Sequence, residues 1–101
     1  MTLKEEFIKL GYTEEDYEII RNNYAVNQIK DETLIKKLKD NFAFLLKMGY
    51  TKEEVIKMTK SLPQIYSYSI ENMKQKIEDI ISLGYTKEEV VKMTKTLPAI
   101  Y

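Results

Sequence analysis

The chain of 101 residues contains no cysteine and no histidine. Without cysteine it has no disulfide bond, and the redox state of its compartment cannot be inferred from thiols. The two absences also remove the usual general base, the thiol nucleophile and the usual zinc ligands. We therefore expect a protein that is not an enzyme and that carries neither a metal nor a cofactor.

Glycine and proline are also scarce, with three and two residues respectively. The glycines lie 35 or more residues apart, which excludes a glycine-rich phosphate loop. The acidic pairs Glu53-Glu54 and Glu88-Glu89 do not form a catalytic dyad, because adjacent side chains on a helix point apart. We expect no small-molecule substrate.

Long hydrophobic runs and charged tails are missing as well. The apolar runs are only a few residues long, so no membrane span is expected. The first six residues include Glu5 and Glu6 and no apolar stretch, which argues against a signal or transit peptide and predicts a cytoplasmic protein. Sixteen basic and sixteen acidic residues cancel.

What the sequence does contain is a repeat. The stretch from Gly49 to Tyr66 recurs almost unchanged from Gly84 to Tyr101, and a weaker copy begins at Gly11. The starting glycines are separated by 49 − 11 = 38 and 84 − 49 = 35 residues. A fixed period of this length is typical of stacked helical repeats.

Each copy begins with a corner between two helices. Glycine adopts the left-handed conformation just after a helix, and a threonine two residues later caps the next helix. Glu54 and Glu89 complete reciprocal capping boxes with Thr51 and Thr86, whereas Asp16 after Thr13 predicts a weaker box. The tyrosine between glycine and threonine is expected to pack on both helices. The three corner tyrosines are Tyr12, Tyr50 and Tyr85.

The helix after each corner, which we call helix A, carries one apolar stripe and ends at a Leu-Pro pair. The stripe consists of Val55, Met58 and Leu62 and is repeated as Val90, Met93 and Leu97. Pro63 and Pro98 end the helix, and a short 3₁₀ turn is expected after each. A second helix, helix B, follows Ser69, with its stripe at Ile70, Met73, Ile77, Ile80 and Ile81.

The repeat predicts one domain in four parts. Residues 1–10 form an N-terminal capping half-repeat, 11–48 a divergent repeat, 49–83 a regular repeat and 84–101 a C-terminal half-repeat. In the divergent repeat we expect helix A over 14–24, with Tyr17, Ile20 and Tyr24 inward. Its helix B is expected over about 32–48, capped by Asp31 or Thr33, with Leu38, Phe42, Leu45 and Leu46 inward.

The last helix A has no helix B after it to cover one flank. This flank consists of Val90, Met93, Leu97 and Ile100. Three alternatives remain open at this stage: different packing of the last unit, cover by a protein partner or a second copy of the chain, or a natural protein that continues. If the protein binds a protein partner or forms a homo-oligomer, we expect the contact at this C-terminal helix face.

The unit resembles the mTERF repeat, named for mitochondrial transcription termination factors. The resemblance rests on Gly-Tyr-Thr-Lys-Glu-Glu-Val, on Lys-Met-Thr-Lys-Ser-Leu-Pro-Gln-Ile and on the helix B that follows, and it covers 49–101 well and 11–48 loosely. It implies an all-α fold, a short right-handed α-solenoid of helix-turn-helix repeats with short 3₁₀ turns after Leu-Pro. It also implies binding to duplex DNA or structured RNA.

The lysines of helix A are the candidate nucleic-acid contacts. They are Lys52, Lys57 and Lys60 in one unit and Lys87, Lys92 and Lys95 in the next. A series of cations at repeated positions can meet successive phosphates. Alternatively they form a solvated face, with Glu53 paired to Lys57 and Glu88 to Lys92. Arg21, Lys74 and Lys76 are secondary candidates.

Three further tyrosines, Tyr66, Tyr68 and Tyr101, are not explained by corner or stripe. They are predicted either to stack on a ligand or to pack between units. Four methionines, Met48, Met58, Met73 and Met93, are expected to fill the core. The sequence thus favours a non-catalytic, nucleic-acid-binding helical repeat, and the alternative is a protein-interaction or self-association scaffold.

Overall fold

The computed structural model describes all residues from 1 to 101 and is entirely helical. This confirms the all-α class and the 3₁₀ turns after both Leu-Pro pairs, which we call the first and second Pro-turn. The elements are α1 (Leu3–Leu10), α2 (Glu14–Arg21), α3 (Asp31–Met48), α4 (Lys52–Ser61), the first Pro-turn (Pro63–Ser67), α5 (Ile70–Ser82), α6 (Lys87–Thr96) and the second Pro-turn (Pro98–Ile100).

The three glycine corners have the predicted conformation. Gly11, Gly49 and Gly84 have φ values of 114°, 113° and 109°, in the left-handed region. A complete capping box follows each corner. The box at Thr13, predicted as a weaker one, is also complete: the Thr13 amide donates to Asp16 Oδ2 at 3.0 Å and the Asp16 amide donates to Thr13 Oγ1 at 3.1 Å.

Consecutive helix pairs pack on one another in chain order. Helix α1 packs on α2 and α3, α2 packs on α4, and α3 packs on α4, α5 and the first Pro-turn. The molecule is elongated, with extents of 42 × 22 × 20 Å. One continuous core of 18 buried apolar residues runs from Leu3 to Tyr101. The handedness of the arrangement stays a prediction.

The divergent repeat differs from the prediction in its first helix. Helix α2 ends at Arg21 instead of residue 24, and residues 22–30 form turns. Tyr24 is consequently 70% exposed and does not belong to the core. The reason is local: the Arg21 guanidinium donates to the carbonyls of Val26 (2.8 Å) and Ile29 (2.9 Å) and pairs with Asp31 at 2.9 Å, which stabilises the turn.

The second helix of this repeat differs at its start and on its inner face. Helix α3 begins at Asp31 after the N-cap residue Lys30, and no side chain caps it, so the predicted caps Asp31 and Thr33 are wrong. Leu38, Phe42 and Leu45 are buried as expected, whereas Leu46 is 41% exposed. The residue after Leu45 is turned about 100° around the helix, which places it at the edge of the stripe. Ile81, its copy in α5, is also exposed, at 39%.

The predicted open flank at the C-terminus is only partly open. Val90 is fully buried although no helix B follows α6. Met93 and Ile100 are half-buried. Leu97, at 57% exposed, is the residue of this flank that remains open.

Neighbouring units are joined by buried chains of hydroxyl groups. The Tyr12 hydroxyl lies 2.7 Å from Thr59 Oγ1 and 2.5 Å from the Tyr66 hydroxyl, 47 and 54 residues along the chain. Thr59 itself donates to the Val55 carbonyl at 2.9 Å. Because each hydroxyl has one proton, Tyr66 donates to Tyr12, Tyr12 to Thr59 and Thr59 to the backbone.

The same chain of bonds recurs one unit later. The Tyr50 hydroxyl bonds Thr94 Oγ1 and, at 2.9 Å, the Tyr101 hydroxyl, while Thr94 donates to the Val90 carbonyl at 2.8 Å. Tyr66 is fully buried and Tyr101 is 8% exposed. Of the two alternatives for these tyrosines, packing between units is confirmed and ligand stacking is wrong. Tyr68 packs against the core while half-exposed.

We predict that alkaline pH weakens the fold through these phenols. Burial raises the pKa of Tyr12 to about 12 and raises the pKa values of Tyr66 and Tyr101. In the unfolded chain the tyrosine hydroxyls begin to lose their protons near pH 10, whereas in the folded state these three hydroxyls still keep theirs. The free energy of unfolding should therefore fall between about pH 10 and 12, by up to about 1.4 kcal/mol per pH unit for each phenol.

Urea unfolding across this pH range measures the effect, and Tyr66→Phe is the control. This variant lacks one titrating phenol, so its free energy should depend less steeply on pH. The same pH dependence in both proteins would contradict the prediction, because lysine deprotonation would then account for all of it.

A second prediction concerns the corners. Gly49→Ala should cost about 1 kcal/mol, the strain of a left-handed alanine, since nothing lies within 4 Å of its added Cβ. Gly11→Ala should cost more, because its Cβ would also lie 3.1 Å from Ile56 Cδ1 and 3.2 Å from Lys52 Cε. Denaturant unfolding of both variants measures the difference. An equal loss in the two would show that the inter-unit contact at Gly11 is unimportant.

Candidate nucleic-acid interface

Two of the six candidate lysines are held in ion pairs between units. Lys60 of α4 binds Asp16 of α2 at 3.2 Å, and Lys95 of α6 binds Glu54 of α4 at 2.8 Å. Both acids also serve in capping boxes. One oxygen of each carboxylate accepts the cap amide, and the other accepts the lysine of the next unit.

These contacts favour the charged form of both acids. The backbone amide of Thr13, followed by Lys60, holds the pKa of Asp16 below its ordinary value of 3.8. Lys95, followed by the Thr51 amide, lowers the pKa of Glu54. Lys60 and Lys95 therefore fasten one unit to the next, and their charges are partly neutralised.

The other four candidates, Lys52, Lys57, Lys87 and Lys92, are exposed and have no acidic partner within 4 Å. The expected pairs of Glu53 with Lys57 and of Glu88 with Lys92 do not form. The cation series begins only at the second unit, because Ile19 occupies the position of Lys57 in the first. The unpaired cations thus lie on α4 and α6.

An open hollow of about 420 Å³ lies beside these lysines. Lys57 brings an unpaired cation to it and Lys95 a cation that is paired with Glu54, and the hydroxyl groups of Ser61 and Thr96 also line it. Ammonium and hydroxyl groups are both common donors to phosphate oxygens. The hollow has the chemistry of a phosphate contact without the shape of an enclosed ligand pocket.

A second open groove, of about 390 Å³, contains a lysine that sequence reasoning missed. Lys47, at the end of α3, meets Lys74 and Lys87 there, with Asp40 as the one acid. Lys87 and the secondary candidate Lys74 were identified from the sequence. Lys47 was not, because the primary candidates were lysines of helix A and the secondary ones included no residue of α3. Its position two residues before a repeat glycine was the available signal.

Two secondary candidates have different outcomes. Arg21 is engaged by the turn after α2 and stabilises the first unit. Lys76 remains exposed on α5 and lines neither the hollow nor the groove.

Neither a metal centre nor a membrane-spanning helix accompanies these surfaces. No three His, Cys, Asp or Glu side chains come together in an arrangement that could hold a metal ion. No helix combines the length and the apolar character needed to cross a membrane.

Repeated helix pairs joined by glycine corners and Pro-turns define a helical-repeat protein. The family model for mTERF matches residues 27–101, about three quarters of the sequence. The chain belongs to the mTERF family. No curated protein and no solved structure gives a significant match.

We predict that the two kinds of lysine differ in their effect on stability. Lys60→Met should lower the free energy of unfolding by about 1 kcal/mol, because it removes the ion-pair partner of a carboxylate whose residue is 7% exposed. Lys57→Met removes the same charge from an unpaired position on the same helix and should change stability by less than about 0.5 kcal/mol.

Urea unfolding at neutral pH and in acid measures both variants. The deficit of Lys60→Met should shrink as the pH falls through the lowered pKa of Asp16, because a protonated carboxyl no longer needs the cation. Equal stabilities of the two variants at neutral pH would show that the pair does not fasten the units.

Proposed function

We propose that this protein is a non-catalytic module that binds duplex DNA or structured RNA through the lysines of α4 and α6. The observation that carries the proposal is the pair Lys57 and Lys92. They occupy the same position in consecutive units, are exposed and have no acidic partner. Membership in the mTERF family supports a nucleic acid as the ligand.

The mechanism is phosphate neutralisation. Each lysine that contacts a phosphate displaces a condensed counterion, so affinity falls as salt concentration rises. Lysine is a point charge with no fixed fork of donors, and recognition should depend on the backbone more than on base sequence. Lys52 and Lys87 add unpaired charge, while Lys60 and Lys95 contribute less because they hold Asp16 and Glu54.

The way in which the units are stacked is part of the same proposal. We infer a short right-handed α-solenoid, in which successive units bring equivalent lysines to one surface. The elongated shape, 42 Å by about 20 Å, supports a stack over a compact bundle. The cytoplasmic location stays a prediction.

Salt titration of binding to labelled duplex DNA and to a structured RNA tests the proposal. We expect binding at low salt whose affinity decreases with salt. The double variant Lys57→Gln/Lys92→Gln should bind more weakly, and its slope of log affinity against log salt should be shallower by about two.

The matched control is Lys4→Gln/Lys36→Gln. It removes the same net charge from lysines that pair with Glu14 and Asp40 outside α4 and α6. Its affinity and slope should stay closer to those of the unchanged protein. Absence of binding at low salt, or equal losses in the two double variants, would refute the nucleic-acid role and favour the alternative of a protein-interaction scaffold.

A further inference from the structure

The two contacts between units are built to one pattern. On the preceding unit, a corner tyrosine and a capping acid face forward: Tyr12 with Asp16, and Tyr50 with Glu54. On the following unit, a threonine binds the tyrosine, the adjacent lysine binds the acid, and a tyrosine seven residues after the threonine completes the hydroxyl chain. These residues are Thr59, Lys60 and Tyr66, and then Thr94, Lys95 and Tyr101.

The third corner presents the same two groups, Tyr85 and Glu89, and no residue of a following unit binds them. Tyr85 is 43% exposed and its hydroxyl makes no hydrogen bond, whereas Tyr12 and Tyr50 are 2% and 3% exposed. Glu89 uses Oε1 to accept the Thr86 amide at 2.8 Å, and Oε2 has no lysine partner.

The apolar residues around this corner show which surface is left open. Leu83 is 77% exposed, whereas its copy Met48 is half-buried. Leu97 is 57% exposed, whereas its copy Leu62 is half-buried. Ile81 does not belong to this surface, because its copies are exposed to a similar extent inside the stack.

An open hollow of about 460 Å³ completes the surface, with Tyr85, Glu89, Lys92, Met93 and Thr96 around it. Met93 is half-buried here, whereas its copy Met58, under the following unit, is 2% exposed. The hollow therefore lies where the next helix A would lie in the repeat.

We propose that the surface formed by Leu83, Tyr85, Glu89 and Leu97 binds one further helix–Pro-turn unit of the same chemistry. The threonine of that unit accepts a hydrogen bond from Tyr85, the lysine next to the threonine binds Glu89 Oε2, and a tyrosine seven residues after the threonine donates to Tyr85. The required pattern is Thr-Lys-x-Leu-Pro-x-Ile-Tyr, as in residues 94–101.

A folded second copy of this chain does not supply the pattern. Its two suitable segments already bind its own Tyr12 and Tyr50. Its first helix A is differently built, with Arg21, Asn22 and Gln28 at the positions of threonine, lysine and tyrosine. The occupant is thus an additional unit and not a stacked copy, and this conclusion does not depend on nucleic-acid binding.

The test uses the full chain, alone and extended at Tyr101 by a second copy of residues 67–101, which supplies one helix B and one helix A. In the extended chain, Tyr85→Phe should increase the unfolded-to-folded ratio by about five- to tenfold, the effect of one buried hydrogen bond. In the 101-residue chain the same substitution should have no effect. Urea unfolding of the two chains and of the Tyr85→Phe variant of each measures the coupling free energy between Tyr85 and the appended unit.

A matched extension carries alanine, methionine and phenylalanine at the appended positions equivalent to Thr94, Lys95 and Tyr101. With this extension Tyr85→Phe should have no effect, and limited proteolysis should remove the appended unit faster than from the unaltered extension. The proposal is overturned if Tyr85→Phe is neutral in the unaltered extension or if the appended unit is digested like an unfolded peptide. It is also overturned if the 101-residue chain dimerises in light scattering and Tyr85→Phe abolishes the dimer.

Discussion

The fold depends on a buried hydroxyl at each of the first two corners, which must find a partner across the boundary between units. A phenol that loses water without gaining a hydrogen bond costs about 1 to 3 kcal/mol, comparable to a sizeable share of the stability of a small domain. Tyr12 and Tyr50 meet this requirement through Thr59 and Thr94, and no buried side-chain nitrogen or oxygen is left without a partner. Apolar packing alone would tolerate sliding between units, whereas these chains of hydroxyl groups fix one register.

Ion pairs between units also start at the corners. Asp16 and Glu54 each accept the amide at a helix start with one oxygen and pair with a lysine of the next unit through the other. A protein with zero formal charge can still present unpaired cations, because a net charge of zero does not place an acid beside every lysine. Lys57 and Lys92 remain without partners although Glu53 and Glu88 lie one turn earlier on the same helices, and the total charge of the sequence does not reveal them.

Local signals predicted the corners well and the contacts between units poorly. Glycine, threonine and Leu-Pro act through their own backbone conformation or a neighbour three residues away, so a reader of the sequence can place them. The bond from Tyr12 to Thr59 spans 47 residues, and a threonine inside a helix gives no hint of it. The sequence likewise does not distinguish the paired lysines Lys60 and Lys95 from the unpaired Lys57 and Lys92, because only the folded protein brings Asp16 and Glu54 to the paired ones. Arg21 was misjudged because its partners lie in an irregular turn.

The unequal repeat lengths have a simple structural origin. Helix α3 has 18 residues and α5 has 13, although both end at a glycine corner with the same geometry. The 38-residue spacing exceeds the 35-residue spacing by 38 − 35 = 3, about one helical turn, and this excess lies at the beginning of α3. Insertions or deletions of about one turn at this end should leave the opposite ends of the helices aligned. A change in length at the start of helix B would therefore leave the corner tyrosines in place.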